Sequence, residues 1–88
     1  VLNQDYALMV EVNSSLGVQD FKDCVADLVQ LRDFFPEYAH KQLYGAVAGI
    51  AIESGVERYA DRQGLFVLAQ SEETVVILND DQFQPRAW

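Results

Sequence analysis

The sequence predicts a small α/β domain in the order β-α-β-α-β-β, with a mixed, mostly parallel sheet that ends in a C-terminal hairpin. Three observations carry this expectation. Strand-like apolar runs alternate with segments of helical periodicity, the pattern of β-α-β units with right-handed crossovers and helices on the faces of the sheet. The last two strand-like runs are separated only by Gln70, Ser71, Glu72 and Glu73, which is a hairpin spacing. The 88 residues, 50% of them hydrophobic, suffice for a single domain with a thin core.

The first strand opens at Tyr6 and closes at Val12. It is apolar on both parities until Glu11, which implies burial on both faces. Ser14, Ser15 and Gly17 break the run. A helix follows over residues 20–35. Phe21, Cys24, Val25, Leu28, Leu31 and Phe35 recur at helical spacing, and Lys22, Asp23, Asp27, Gln30 and Asp33 fill the other side. Asp20 suits the positive end of the helix dipole, and Pro36 stops the helix. Residues 43–52 form an uncharged run with Val47, Ile50 and Ile52, in which Gly45 and Gly49 permit close backbone approach. This run reads as the central, fully buried strand.

Ser54-Gly55-Val56-Glu57 has the capping-box pattern, the serine side chain accepting from the backbone N–H of Glu57. The short helix it opens reaches about Gln63, and Gly64 suits the exit. Residues 65–69 and 74–78 are the hairpin strands. Residues 80–88 form a tail with Phe83, Pro85 and Trp88. No internal repeat or low-complexity linker interrupts the chain.

Charge and cysteine content exclude several functions. The net charge is −8. The six cations, Lys22, Arg32, Lys41, Arg58, Arg62 and Arg86, are scattered among fourteen acids. Nucleic-acid binding by this chain alone is therefore not expected, because it needs clustered Lys and Arg to displace phosphate counterions. The single cysteine, Cys24, excludes an internal disulfide and a Cys₂ or Cys₄ zinc site, and its place on the apolar helix face reads as core. A cytoplasmic location fits, and the opening residues lack the basic segment of a signal peptide. The longest apolar run is about half the roughly twenty residues of a membrane span, so no membrane partner is expected.

Glu11 is the most informative polar residue. It stands near the end of a strand that otherwise reads as buried, and ligand sites of open α/β sheets gather at the carboxyl ends of parallel strands. Asn13, two residues on, shares its face. A carboxylate there can hold a divalent cation, and a neighbouring polar group can orient water. The competing reading is a strand whose last residues simply reach solvent. Asp20, Lys22 and Asp23 open the helix that follows Glu11, and they read first as a solvated face. His40 reads as a lone surface histidine. Ser14 and Ser15 have no histidine base in any recognisable pattern, and no Gly-rich phosphate loop is present.

The segment Tyr6-Ala-Leu-Met-Val-Glu-Val-Asn-Ser-Ser-Leu-Gly-Val-Gln-Asp-Phe resembles the core of the PD-(D/E)XK nuclease-like superfamily, in its poorly characterised bacterial branch. Phe34-Phe35-Pro36-Glu37-Tyr38, Leu43-Tyr44-Gly45-Ala46-Val47-Ala48-Gly49, Gly64-Leu65-Phe66-Val67 and Phe83-Gln84-Pro85 extend the similarity over nearly the whole chain. The resemblance implies a three-layer restriction-endonuclease-like core over residues 1–88, without the family's N-terminal strands. It also implies Mg²⁺- or Mn²⁺-dependent DNA cleavage, with Glu11 and the Val12 backbone carbonyl as metal ligands.

The motif departs from the family in two places. Asn13 stands where the family has a lysine that stabilises developing negative charge. The family's metal-binding aspartate belongs to a strand that would precede residue 1, and Asp5 is misplaced for it. The expectation is a degenerate, catalytically inactive domain acting in binding or assembly, with no bound cofactor. One alternative is a fragment of an active metal-dependent nuclease whose first strands lie upstream. Another is a plain interaction domain alike in fold alone. With its family neighbour missing, the strand from Tyr6 to Val12 becomes a long apolar edge, and a homo-oligomer through it is expected. The competing outcome is that the tail, with Phe83 and Trp88, covers that edge.

Overall fold

The computed structural model describes residues 5–34 and 41–88. Its elements follow the expected order: β1 (Tyr6–Leu16), α1 (Val18–Phe34), β2 (Gln42–Ile52), α2 (Val56–Gln63), β3 (Phe66–Gln70) and β4 (Val75–Ile77). The sheet order is β1-β2-β3-β4. β1 and β3 each run parallel to β2, and β4 closes the sheet as the antiparallel partner of β3.

The layers differ from the expectation. Among the described elements there are two, and both helices lie on one side of the sheet. Phe21, Cys24 and Leu28 of α1 and Val56 and Ala60 of α2 share one core with Leu43, Val47, Leu65 and Val67. The cause is topological. Strands taken up in sequence order with crossovers of one hand lay every crossover helix on the same face.

β1 is longer than the sequence suggests. It runs through the serines to Leu16 and stays in register with β2 as far as Ile52. The reason lies at its end. Ser14 and Ile50 are exposed, yet Leu16 is fully buried and Ile52 packs on the core. The in–out alternation therefore slips in both strands together, and burial of Leu16 holds the last residues extended. β2 is central, as expected, but not buried throughout, since Ile50 is 71% exposed.

α1 begins two residues before the expected Asp20. Its expected end at Phe35 and Pro36, and His40 beyond, lie outside the described residues. The capping box expected for α2 does not form. Gly55 takes the N-cap position at φ 85°, with no side-chain cap, so Ser54 lies outside the helix. Gly64 does end α2, at φ 76°, and its N–H bonds Asp61 O at 3.1 Å.

The hairpin forms as expected, its turn closed by Ser71 N–H to Thr74 O at 2.9 Å. Asn79 ties the following segment down. Its Nδ2 donates to Asp61 Oδ1 at 2.6 Å, and its Oδ1 accepts from Val67 N–H at 2.8 Å. The tail then returns beneath β3 and β2. Arg86 N–H bonds Gly64 O at 3.0 Å, Trp88 N–H bonds Leu43 O at 2.7 Å, and Phe83 meets Phe66 edge-on. These contacts place it at β2 and β3 rather than over β1. Among the described residues β1 pairs with β2 alone, and no helix is long and apolar enough to cross a membrane.

Candidate functional site

Along β1 the odd-numbered residues face the helices. Ala7 is in the core, Met9 packs on it, and Glu11 and Asn13 follow on the same face. The shared face of Glu11 and Asn13 is as the sequence suggests. The position of Glu11 is not. It pairs with Val47 midway along the edge strand β1, which continues to Leu16. The carboxyl-end argument for a site at Glu11 therefore fails, because the serines continue the strand instead of ending it.

α1 lays Asp20, Asp23 and Asp27 opposite this face. The Glu11 carboxyl hydrogen-bonds Asp27, and its pKa is pushed up from 4.5 to about 7. Partial burial is the largest cause. The hydrogen bond to Asp27 and its charge come next, followed by the charges of Asp23 and Asp20. In the protonated form Glu11 O–H donates to the Asp27 carboxylate.

Asn13 is engaged as well, its Nδ2 donating to Asp20 Oδ1 at 3.3 Å. The other Asp20 oxygen accepts from Gly17 N–H at 2.7 Å, the reach-back bond of a helix N-terminus. Asp20 thus fixes the start of α1 and holds the Asn13 side chain. Cys24 lies beneath, fully buried, with its thiol pushed up to about 12 by burial first and then by Glu11 and Asp27. It is no nucleophile at neutral pH.

The cluster can store a proton and repel anions. No cation is among the groups that act on Glu11, and Lys22 is exposed on α1. Among the described residues no group of three His, Cys, Asp or Glu is disposed to hold a metal ion. Val12, proposed through its carbonyl as a ligand, turns its side chain to the opposite sheet face, 69% exposed.

Asp23 and Asp20 thus face Glu11, where the sequence pattern favours a solvated helix face. The periodicity puts Asp27 on the far side of the helix, whereas in the fold it is the hydrogen-bond partner of Glu11. A signal for it exists in the sequence. Asp27 follows Asp23 by four residues and Asp20 by seven, one stripe beside Phe21, Cys24 and Leu28. No family model matches the chain, and no curated protein or solved structure shows significant similarity to it.

Proposed function

We propose that this chain is a non-catalytic α/β domain that acts in binding or assembly, related in motif to the PD-(D/E)XK nuclease-like superfamily and no longer equipped to cut nucleic acid. One observation carries the reading: Glu11 is hydrogen-bonded to Asp27 within an all-acidic surround. Phosphodiester hydrolysis needs positive charge where the phosphoryl oxygens gain negative charge, from a metal, a lysine or both. Here the surrounding charge has the opposite sign. A Glu11 that binds its proton near neutral pH is also a poor ligand, because a divalent cation must first displace that proton.

The side chain at the lysine position adds support. Asn13 carries no charge and is already bonded to Asp20. In an active relative, Glu11 and the Val12 carbonyl would hold Mg²⁺ or Mn²⁺, which would supply Lewis-acid activation of water. Magnesium asks for near-octahedral oxygen coordination, and a carboxyl pair sharing a proton does not provide it.

Plasmid nicking in Mg²⁺ or Mn²⁺ buffer tests the proposal on wild type, Glu11→Ala and Asn13→Lys. No variant should nick above background. Nicking by wild type that Glu11→Ala abolishes would overturn the proposal. Nicking by Asn13→Lys alone would show that the acidic cluster still assembles a metal site and lacks only the cation.

A further inference from the structure

β4 is the edge of the sheet opposite β1, and among the described residues its outer side is open. Two bonds fix which of its backbone groups face outward. Ser71 N–H bonds Thr74 O and Leu78 N–H bonds Val67 O, each at 2.9 Å. With Val76 opposite Ala69 between them, Thr74, Val76 and Leu78 turn their backbone groups toward β3. Val75 and Ile77 therefore turn their N–H and C=O groups to the open edge. The side chains are uncovered too. Val75 and Ile77 stand on one face of the sheet, Val76 and Leu78 on the other. Val75 is 60% exposed, Val76 52%, Ile77 57% and Leu78 37%. Four consecutive apolar side chains thus stay open on both faces, in a strand without the Lys or Pro that usually protects an edge.

Charge indicates what this edge accepts. Glu72 and Glu73 precede the strand, Asp80 and Asp81 follow it, and no Lys or Arg occurs from residue 63 to residue 85. Open clefts at the two ends carry the same sign. One of about 390 Å³ at the hairpin turn is lined by Ile50, Gln70, Ser71 and Glu72. The other, of about 400 Å³, lies beyond Leu78 and has Asp61 and Asp80 in its wall.

A second copy of the chain does not suit the edge. Antiparallel pairing of two β4 strands about a two-fold axis at Val76 sets Glu72 of each copy opposite Asp80 of the other, and like charges directly opposite destabilise a strand pair. Nucleic acid finds no cation there to displace its counterions. A strand with cations at both ends is attracted whichever way it runs. The flanking acids thus oppose self-pairing and select a basic partner by the same charge.

We propose that β4 is the docking edge for an extended segment of another protein, a run of about five apolar or β-branched residues flanked at both ends by Lys or Arg, which joins the sheet as a further strand. Its backbone bonds Val75 and Ile77. Its apolar side chains lie beside those of Val75, Val76, Ile77 and Leu78. Its cations meet Glu72 and Glu73 at one end and Asp80 and Asp81 at the other. The proposal rests on the binding reading above and fails separately from it: nicking by wild type would overturn that reading, whereas the outcomes below bear on β4 alone.

The probe is a fluorescein-labelled peptide, Lys-Lys-Val-Thr-Val-Thr-Val-Lys-Lys, titrated with the full chain and followed by fluorescence anisotropy. Wild type binds it saturably in about 0.05 M NaCl and at least about tenfold more weakly in about 0.5 M NaCl. The same peptide with Glu in place of every Lys does not bind. Ile77→Pro removes an outward N–H and no bond to β3, so it abolishes binding while far-UV circular dichroism stays unchanged. The variant Glu72→Lys/Glu73→Lys/Asp80→Lys, altered only at exposed positions, reverses the preference and takes the Glu-flanked peptide. Amide hydrogen exchange at Val75 and Ile77 slows in the bound chain. Absence of saturable binding, equal binding of the two peptides by wild type, indifference to Ile77→Pro, no reversal in the Lys variant, or slowed exchange on β1 instead of β4 overturns the proposal. So does sedimentation of wild type as an oligomer that Ile77→Pro dissolves, which would assign the edge to a second copy.

Discussion

Replacing Glu11 by Gln should stabilise the protein at pH 8 and leave it almost unchanged at pH 5. In the folded chain Glu11 binds its proton up to about pH 7, whereas an unhindered glutamate releases it near 4.5. Below 4.5 both states are protonated and the stabilising term is complete. Between 4.5 and about 7 the native state binds the additional proton, so stability falls as pH rises, and above 7 the term is lost. The full interval corresponds to about 3.4 kcal/mol. Glu11 is partly open to water, which screens its neighbours, so about 1–2 kcal/mol is the reasonable expectation.

A glutamine amide donates to Asp27 at any pH and carries no charge. The variant should therefore lose the pH dependence and exceed wild type at pH 8 by that same amount. Urea denaturation at pH 5 and pH 8, followed by far-UV circular dichroism at one fixed protein concentration, measures both chains. The net charge of −8 also favours acid pH through general repulsion, which is why the difference between the two chains is the quantity to read. A Glu11→Gln protein no more stable than wild type at pH 8 would refute the account of the carboxyl pair.

Two further outcomes test the packing around the cluster. Gly45 lies where β2 passes under α1, and a methyl group there would come 2.5 Å from Leu28 Cδ1 and 2.8 Å from Leu65 Cδ2. Both leucines are fully buried, so Gly45→Ala should cost about 1–3 kcal/mol in urea denaturation, and an unchanged midpoint would mean that α1 stands further from the sheet. Cys24 should resist a thiol-specific disulfide reagent at pH 8 in the folded chain and react promptly in urea, because its thiol is buried and titrates only near 12. Rapid native labelling would show that α1 opens readily from β1.

Much of the fold was legible because local patterns repeat. The spacing of Phe21, Cys24 and Leu28 marks α1, and each of these side chains is buried. The uncharged run around Val47 marks the central strand, Gly64 marks a helix exit, and four polar residues mark the hairpin turn. Polar identity misled where tertiary contact opposed it. Ser14 and Ser15 read as a break, yet Leu16 beyond them had a core position to fill. Ser54 and Glu57 spelled a cap, but Gly55 between them took the left-handed turn and displaced it.

The candidate site was legible in part for the same reason. Glu11 and Asn13 stand out in an apolar strand, and their common face follows from the two-residue period alone. Asp27 could not be assigned to Glu11 from composition, because a helix-borne acid meets solvent or a strand according to how the helix is rotated and docked. What the sequence determined by itself was the order of elements, the core stripe of α1 and the acidity that disfavours phosphate. Only the tertiary structure decided that both described helices share one face and that Glu11 lies mid-strand against three aspartates. Periodicity reports which residues share a side of an element, whereas the elements that meet across that side are set by strand order and crossover hand.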